Sequence, residues 1–293
     1  MYNIILVHIG DCFYDYIIDC INQIKKFENT NIYLLISEIH RDKVKDLCIN
    51  VIYIEYIVKT EKHKIFEITT KLDRNFRGGF WKYATERFFY IEDVMIQYNL
   101  DNVFHMENDN LIYFNIDEYM NIFDEKYNFA AIFDNDDRCI PGFIFIKNVK
   151  FLCKLNLFII ENNGYNDMEL IPMFNKKYDI IKTLPVIPKD YTNLISKTGL
   201  ITNNPDIFYN NIDIFESVFD GAAIGQYLGG VDPRNDSSNS IGFINESSLY
   251  DISDFTFKFD VVNGKRIPYL IYNNNKYKIN NLHIHSKKLL NFI

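Results

Sequence analysis

The chain is predicted to be an α/β protein, with a central, mostly parallel sheet flanked by helices and a small antiparallel element near its C-terminal end. Three observations predict this. Short apolar, β-rich runs alternate with helical spacing from the first residues, as in βα units. The later part instead carries strand-length runs joined by tight-turn residues. The 293 residues, 48% apolar and 16% aromatic, are enough for one large core, so the chain is read as a single domain over 1–293.

Asn3 to Ile9 is an apolar run that ends at Gly10-Asp11, after which Phe13, Tyr16, Ile17, Cys20, Ile21 and Ile24 recur at helical spacing. This reads as a strand, a turn and an amphipathic helix. Asn31 to Ser37 and Asn50 to Val58 repeat the strand signal, and Glu38 to Leu47 between them is long enough for a helix. Phe80 to Tyr98 carries an apolar stripe through Tyr83, Ala84, Phe88, Ile91, Val94 and Met95, which predicts a helix. Val103 to Met106 is the next strand. Phe129 to Phe133 and Gly142 to Ile146 are two more, separated by an acidic loop at Asp134 to Asp137. Lys258 to Val262, Lys265 to Tyr272 and Lys276 to His285 read as three antiparallel strands joined at Asn263-Gly264 and at Asn273 to Asn275. Ser196 to Phe215 and Asp232 to Ser248, rich in Asn, Asp, Ser or Gly, read as long surface loops over a site.

Composition narrows the function classes. A net charge of −8 argues against a nucleic-acid or anionic-membrane surface, either of which calls for clustered Lys and Arg. Cys12, Cys20, Cys48, Cys139 and Cys153 form an odd set without a CxxC pair, as expected of reduced thiols in a cytosol. MYNIILVHIGD lacks the pattern of a signal peptide and no run approaches a membrane span, so the expected location is cytoplasmic.

Four constellations carry possible chemistry. In NVFHMENDNLIY, Glu107 and Asp109 follow the Val103 to Met106 strand, where open α/β sheets bind ligands. Oxygen ligands of this kind suit Mg²⁺ or Mn²⁺, and the competing reading is an Asx turn with solvated acids. In NLHIHSK, His283 and His285 at i, i+2 on a strand share a face; His285 is placed to complete a metal shell and Lys287 to meet a phosphate oxygen. In FDGAAIGQYLGG, Asp220 is either a helix cap or a carboxylate that orients or deprotonates an acceptor hydroxyl. The small residues after it allow close packing or close approach of a ligand. RGGFW, with Arg77 and Trp81, is followed by Arg87 in the same predicted helix, beside the apolar stripe, its guanidinium free for a phosphate or carboxylate, or engaged in a surface ion pair.

Taken together, these residues resemble the metal-dependent nucleotide-sugar glycosyltransferases of the GT-A fold. The likeness rests on the DXD-like Glu-Asn-Asp of NVFHMENDNLIY, the upstream helix with Arg87, the strands around IPGFIFIK and the late HIHSK. It implies a Rossmann-like GT-A domain with a nucleotide-binding half (1–115) and an acceptor half with a C-terminal metal and diphosphate segment (116–293). It implies that Glu107, Asp109 and His285 or His283 hold Mn²⁺ or Mg²⁺, and that His8, Gly10 and Asp11 lie near the base and ribose. Arg77, Arg87, Asn108 and Lys287 would contact the nucleotide or its diphosphate. A UDP-sugar would be the donor, and a glycan, glycoconjugate or protein hydroxyl the acceptor. An inverting course would need Asp220 as an in-line base; a retaining course would leave it to bind hydroxyls. Two rivals share the architecture: a sugar-phosphate nucleotidyltransferase, which would want a glycine-rich basic loop where this chain has His8-Ile-Gly-Asp-Cys12, and a non-catalytic sugar-nucleotide-binding protein.

Overall fold

A computed structural model describes residues 2–28, 30–235 and 241–293. The strands are, in chain order, β1 (Asn3–His8), β2 (Asn31–Ile36), β3 (Asn50–Tyr53), β4 (Val103–Met106), β5 (Asn110–Ile112), β6 (Phe129–Ala131), β7 (Phe133–Asn135) and β8 (Arg138–Cys139). They continue with β9 (Phe143–Ile146), β10 (Ile181–Thr183), β11 (Ser217–Val218), β12 (Thr256–Val262), β13 (Lys265–Tyr272), β14 (Asn275–Ile279) and β15 (Asn281–His283). The helices are α1 (Tyr16–Phe27), α2 (Arg41–Val44), α3 (Glu61–Thr69), α4 (Phe80–Gln97), α5 (Met120–Lys126), α6 (Val149–Glu161), α7 (Asp167–Tyr178), α8 (Ile212–Phe215) and α9 (Ala223–Gly229).

The expected α/β architecture is present. Seven strands in the order β10-β6-β9-β4-β1-β2-β3 form the central sheet, parallel throughout except for β9, which runs antiparallel to β4 and β6. Alternation along β1 explains why both faces must be covered. Ile4 and Leu6 enter the core packed with Ile17, Ile21 and Ile24 of α1, while Ile5 and Val7 enter the one packed with Phe88, Ile91 and Met95 of α4. In β9 the same rule sends Phe143 and Phe145 to the first core, Ile144 and Ile146 to the second.

A second sheet, ordered β11-β14-β13-β12, is antiparallel except where β11 meets β14. Its hairpins turn at Asn263-Gly264 and Asn273-Asn274, all four residues at positive φ, as tight hairpin turns require. The expected single strand Lys276 to His285 is instead broken at Asn280. There the chain leaves β14: Asn280 N–H donates to Val218 O at 2.9 Å, and its own carbonyl accepts from Tyr113 N at 2.8 Å. It resumes as β15, antiparallel to β5, with His283 opposite Asn110.

Other expectations need correction. Glu38 to Leu47 forms a 3₁₀ turn (Glu38–His40) and the short α2, and Asn50 to Val58 is strand only to Tyr53, followed by a 3₁₀ turn. The acidic segment Asp134 to Asp137 is largely a β-ribbon: β7 pairs with β8, and Asn135 Oδ1 accepts from Asp137 N at 2.9 Å to make the turn. Of the two expected loops, 196–215 holds a 3₁₀ turn (Pro205–Phe208) and α8, and residues 236–240 of the second lie outside the described residues. All five cysteines are free thiols.

Behind α4, α3 and α6 enclose a charged network. His63 Nδ1 donates to Asp93 at 2.6 Å, and Nε2 lies 3.4 Å from Glu86, which pairs with Lys82 at 3.2 Å. Lys62 and Asn156 meet Glu92 at 2.5 and 2.7 Å. Burial alone would lower the His63 pKa, but Asp93 and Glu86 together raise it above the usual 6.5. A raised folded pKa contributes stability that is complete below the unfolded value and is lost as pH rises through the folded one. His63→Gln should therefore cost roughly 3 kcal/mol in mildly acidic buffer and progressively less above neutrality. Urea unfolding from pH 5.5 to 9 checks this, and parallel wild-type and variant curves would contradict it.

Candidate functional site

In the central sheet β2 and β3 lie to one side of β1 and β4 to the other. The carboxyl ends of β1 and β4 therefore flank a switch point where a crevice must open. It is a cleft of about 730 Å³, and His8, Gly10, Asp11, Arg77, Arg87, Glu107, Asn108, Asp109, His283, His285 and Lys287 all line it. Of the site residues expected from the sequence, Asp220 is the exception.

The turn from β4 to β5 is built by the amides of the ENDN cluster. Glu107 N–H donates to Gly142 O at 2.9 Å, and Asn110 N–H returns to Glu107 O at 3.0 Å. Asn108 Nδ2 donates to Val7 O at 2.8 Å, fastening the turn to the end of β1. Asn110 donates to Gly142 O at 2.8 Å and accepts from Asn281 Nδ2 at 3.0 Å. The asparagines hold the backbone, which leaves Glu107 and Asp109 to face the cleft.

The β15 pairing delivers His283 to those acids. Its Nε2 lies 2.9 Å from Glu107 Oε2 and 3.2 Å from Asp109 Oδ1, and its Nδ1 bonds to the carbonyl of Gly221. A carbonyl accepts only from N–H, so Nδ1 carries a proton and Nε2 is the nitrogen that confronts the two carboxylates. Burial by itself would lower the His283 pKa, but Asp109 and then Glu107 push it up to about 10. Asp109 is held well below the usual carboxylate range: burial opposes this, and Lys287 followed by His283 outweighs it. Lys287, at φ 62, bonds to the second oxygen of Asp109.

Glu107, Asp109 and His283 thus bring one ligand atom each within 4.8 Å of one another. A hard oxygen pair plus an imidazole whose far nitrogen is fixed by a carbonyl suits Mn²⁺ or Mg²⁺, and the residues present fit that group. His285 plays a different part. It lies past the end of β15, its Nδ1 accepts from Gln226 Nε2 at 3.0 Å, and its ring packs 4.4 Å from that of His283. Of the two histidines, His283 is the one that meets the acids.

Arg87 and Asp220 were each read two ways from the sequence, and the contacts favour the ion pair and the cap. Arg87 is not free: its Nη1 bonds to Glu107 and its Nη2 to Asp167 at 2.7 Å. Asp220 is 1% exposed and acts as a cap and brace. Oδ1 accepts from Ile224 N at 3.0 Å, and Oδ2 accepts from Gly225 N and His283 N, each at 2.9 Å. The glycines nearby serve packing: a Cβ on Gly225 would lie 2.0 Å from His283 O, and one on Gly142 would lie 2.6 Å from His283 Nδ1. Neither position leaves room for a side chain, because His283 is threaded between them.

Asp167 was not anticipated. It lines the cleft, it is buried, and its Oδ1 has no hydrogen-bond partner among the described residues. Burial, offset in part by Arg87, raises its pKa to about 6. The capping box of Asn166 and Glu169, which places Asp167 at the first position of α7, is the sequence signal that marks it.

No protein-family model matches the chain, and no curated protein matches it significantly. Solved structures of similar fold include mouse xyloside xylosyltransferase 1, at 10% identity over 63% of this chain and 85% of that one, TM-score 0.42. The galactosyltransferase LgtC, solved with donor and acceptor sugar analogs, is similar at 13% identity over 62% and 73%, TM-score 0.42. A cytidylyltransferase from Leptospira borgpetersenii is similar at 13% identity over 83% and 97%, TM-score 0.40.

If Asp220 is a brace, Asp220→Asn should destabilise the fold by about 1–3 kcal/mol, since an amide NH₂ would then face backbone N–H groups. Gly225→Ala should cost a similar amount, roughly 1–3 kcal/mol, by forcing β15 away from α9. Denaturant melts report both, and full stability in either variant would refute the packing described.

Proposed function

We propose that this chain is a glycosyltransferase that moves a sugar from a nucleoside-diphosphate donor, with a UDP-sugar as the default, to a hydroxyl of a glycan, glycoconjugate or protein. One observation carries the reading. Two segments some 174 residues apart in the sequence bring Glu107 Oε2, Asp109 Oδ1 and His283 Nε2 together beyond the carboxyl end of a central strand, the edge at which α/β sheets bind ligands.

Glu107, Asp109 and His283 would hold Mn²⁺ or Mg²⁺. When bound, such an ion supplies charge to the diphosphate as it departs. The remaining roles fall to the chain's own groups. Lys287 would turn from Asp109 to a diphosphate oxygen, where a fixed positive charge is most useful as the bond to the sugar breaks. Arg87, clamped between Glu107 and Asp167, keeps both carboxylates charged and in place. Asp167 Oδ1 would accept a hydroxyl of the donor sugar, replacing a missing partner. His8, whose Nε2 bonds to Cys12 O at 2.8 Å, shapes the loop with Gly10 and Asp11 that would receive the nucleoside. With Asp220 withdrawn to backbone contacts, no residue is assigned as an in-line base. Among the described residues no helix is long and apolar enough to cross a membrane.

A thermal-shift screen of nucleotide sugars with and without Mn²⁺ tests the proposal. A donor present at a hundred times its Kd should add about 2.7 kcal/mol of stability, and only with the metal. Glu107→Ala, Asp109→Ala and His283→Ala should each abolish the metal-dependent part, whereas His285→Ala should weaken it less. An unchanged shift in the Asp109 variant would remove the site assignment, and no shift with any nucleotide sugar would remove the function.

A further inference from the structure

Away from the cleft, a second set of ligand atoms converges among the described residues. His63, Glu67 and Glu86 bring one ligand atom each within 4.8 Å of one another. His63 and Glu67 stand four residues apart on α3 and so share a face, and α4 supplies Glu86. The imidazole is already fixed. Its Nδ1 bonds to Asp93 at 2.6 Å, Tyr90 meets the ring edge-on at 4.5 Å, and Nε2 is left facing Glu86. A carboxylate on the far nitrogen is how metal-bound histidines are oriented.

Glu86 is the member whose contacts fall short. Its neighbours are well supplied: Glu92 meets Lys62 at 2.5 Å and Asn156 at 2.7 Å, and Asp93 accepts from His63 and from Thr60 N, the latter at 2.9 Å. Glu86 is 2% exposed, yet Oε1 has only a long contact to His63 at 3.4 Å, and the Lys82 ammonium 3.2 Å from Oε2 makes no hydrogen bond to it. Buried carboxylate oxygens normally have hydrogen-bond partners, so this one calls for a ligand. The two ammonium groups that offset the acids come from the rim. Lys59, which meets Glu67 at 2.7 Å, and Lys82 have side chains 25% and 16% exposed, and their flexible stems let both heads return to water. One dication replaces both.

We propose that His63, Glu67 and Glu86 form a zinc site that clips α3 to α4. One imidazole and two carboxylates suit several divalent ions, and burial selects among them. The enclosure of His63 and Glu86 disfavours the several waters that Mg²⁺ keeps, whereas zinc is satisfied by four ligands and outbinds Mn²⁺ at such a site. Zinc displaces the Nε2 proton of His63 and the two lysines, and a water on the side of Glu67, whose side chain is 33% exposed, completes the shell. The clip holds the helix that carries Arg87, and it does not depend on the transfer reaction proposed above.

The full chain is stripped with EDTA, freed of chelator and titrated with zinc chloride by calorimetry. The cleft acids also offer a metal site, so the measurement is a difference in stoichiometry. The unmodified chain should take up two zinc ions and Glu67→Gln one, while Glu67→His, which restores a ligand four residues from His63, should take up two again. Circular dichroism checks that the variants are folded, which the exposure of Glu67 favours. Independently of any variant, anomalous diffraction at the zinc edge from zinc-loaded crystals of the unmodified chain should place a peak about 2.0–2.1 Å from His63 Nε2. Equal uptake by the unmodified chain and Glu67→Gln, or an anomalous peak in the cleft alone, overturns the proposal. If the cleft takes no metal, the counts become one, none and one, so failure of the transferase reading leaves this test intact.

Discussion

The antiparallel pairing of β15 with β5 is the contact on which the cleft depends. Each strand is three residues long, too short to hold register by itself. Two things compensate. Leu111, Ile112, Leu282 and Ile284 are fully buried in the core that also holds Phe104, Phe143 and Phe219. The amide of Asn281 bridges Asn110 Oδ1 at 3.0 Å and Asp220 O at 2.8 Å, so register is read by hydrogen bonds as well as by shape. A slip of one residue would turn His283 to the opposite face and break both bonds.

Fixing that register gathers ionic groups that would be costly one at a time. Glu107, Asp109 and Asp167 stand against Arg87, His283 and Lys287, each acid within reach of a cation. Removing any one member leaves a buried charge uncompensated, so the set stands or falls together. Helix α4 backs it from behind. Its consecutive residues Glu86 and Arg87 point to different places, Glu86 into the His63 network and Arg87 into the cleft. The network anchors α4 to α3 and α6, and a rigid helix is what positions the guanidinium between two carboxylates.

The cleft is therefore divided. Its floor is ionic and buried, and one wall is aromatic and partly exposed. The floor depends on contacts between distant strands, the wall on a local display of rings at the start of one helix. These are separable physical requirements, and mutations in one need not disturb the other.

Sequence alone determined the features whose causes are local. Short apolar, β-rich runs marked β1, β2, β4 and β9, the 3.6-residue stripe marked α4, and the paired Asn and Gly positions marked the hairpin of β12 and β13. The acids of NVFHMENDNLIY were visible because they interrupt an apolar run at a strand's end. Tertiary structure decided what depends on partners far along the chain. Which histidine meets Glu107 and Asp109 follows from the break at Asn280, whose side chain and backbone are claimed by Ser217, Val218 and Tyr113. Asp220 became a brace because β15 brings the His283 amide to it, and Arg87 lost its freedom because α7 brings Asp167. Local spacing sets which face a side chain takes on its own element; only the packing of elements sets what that face meets.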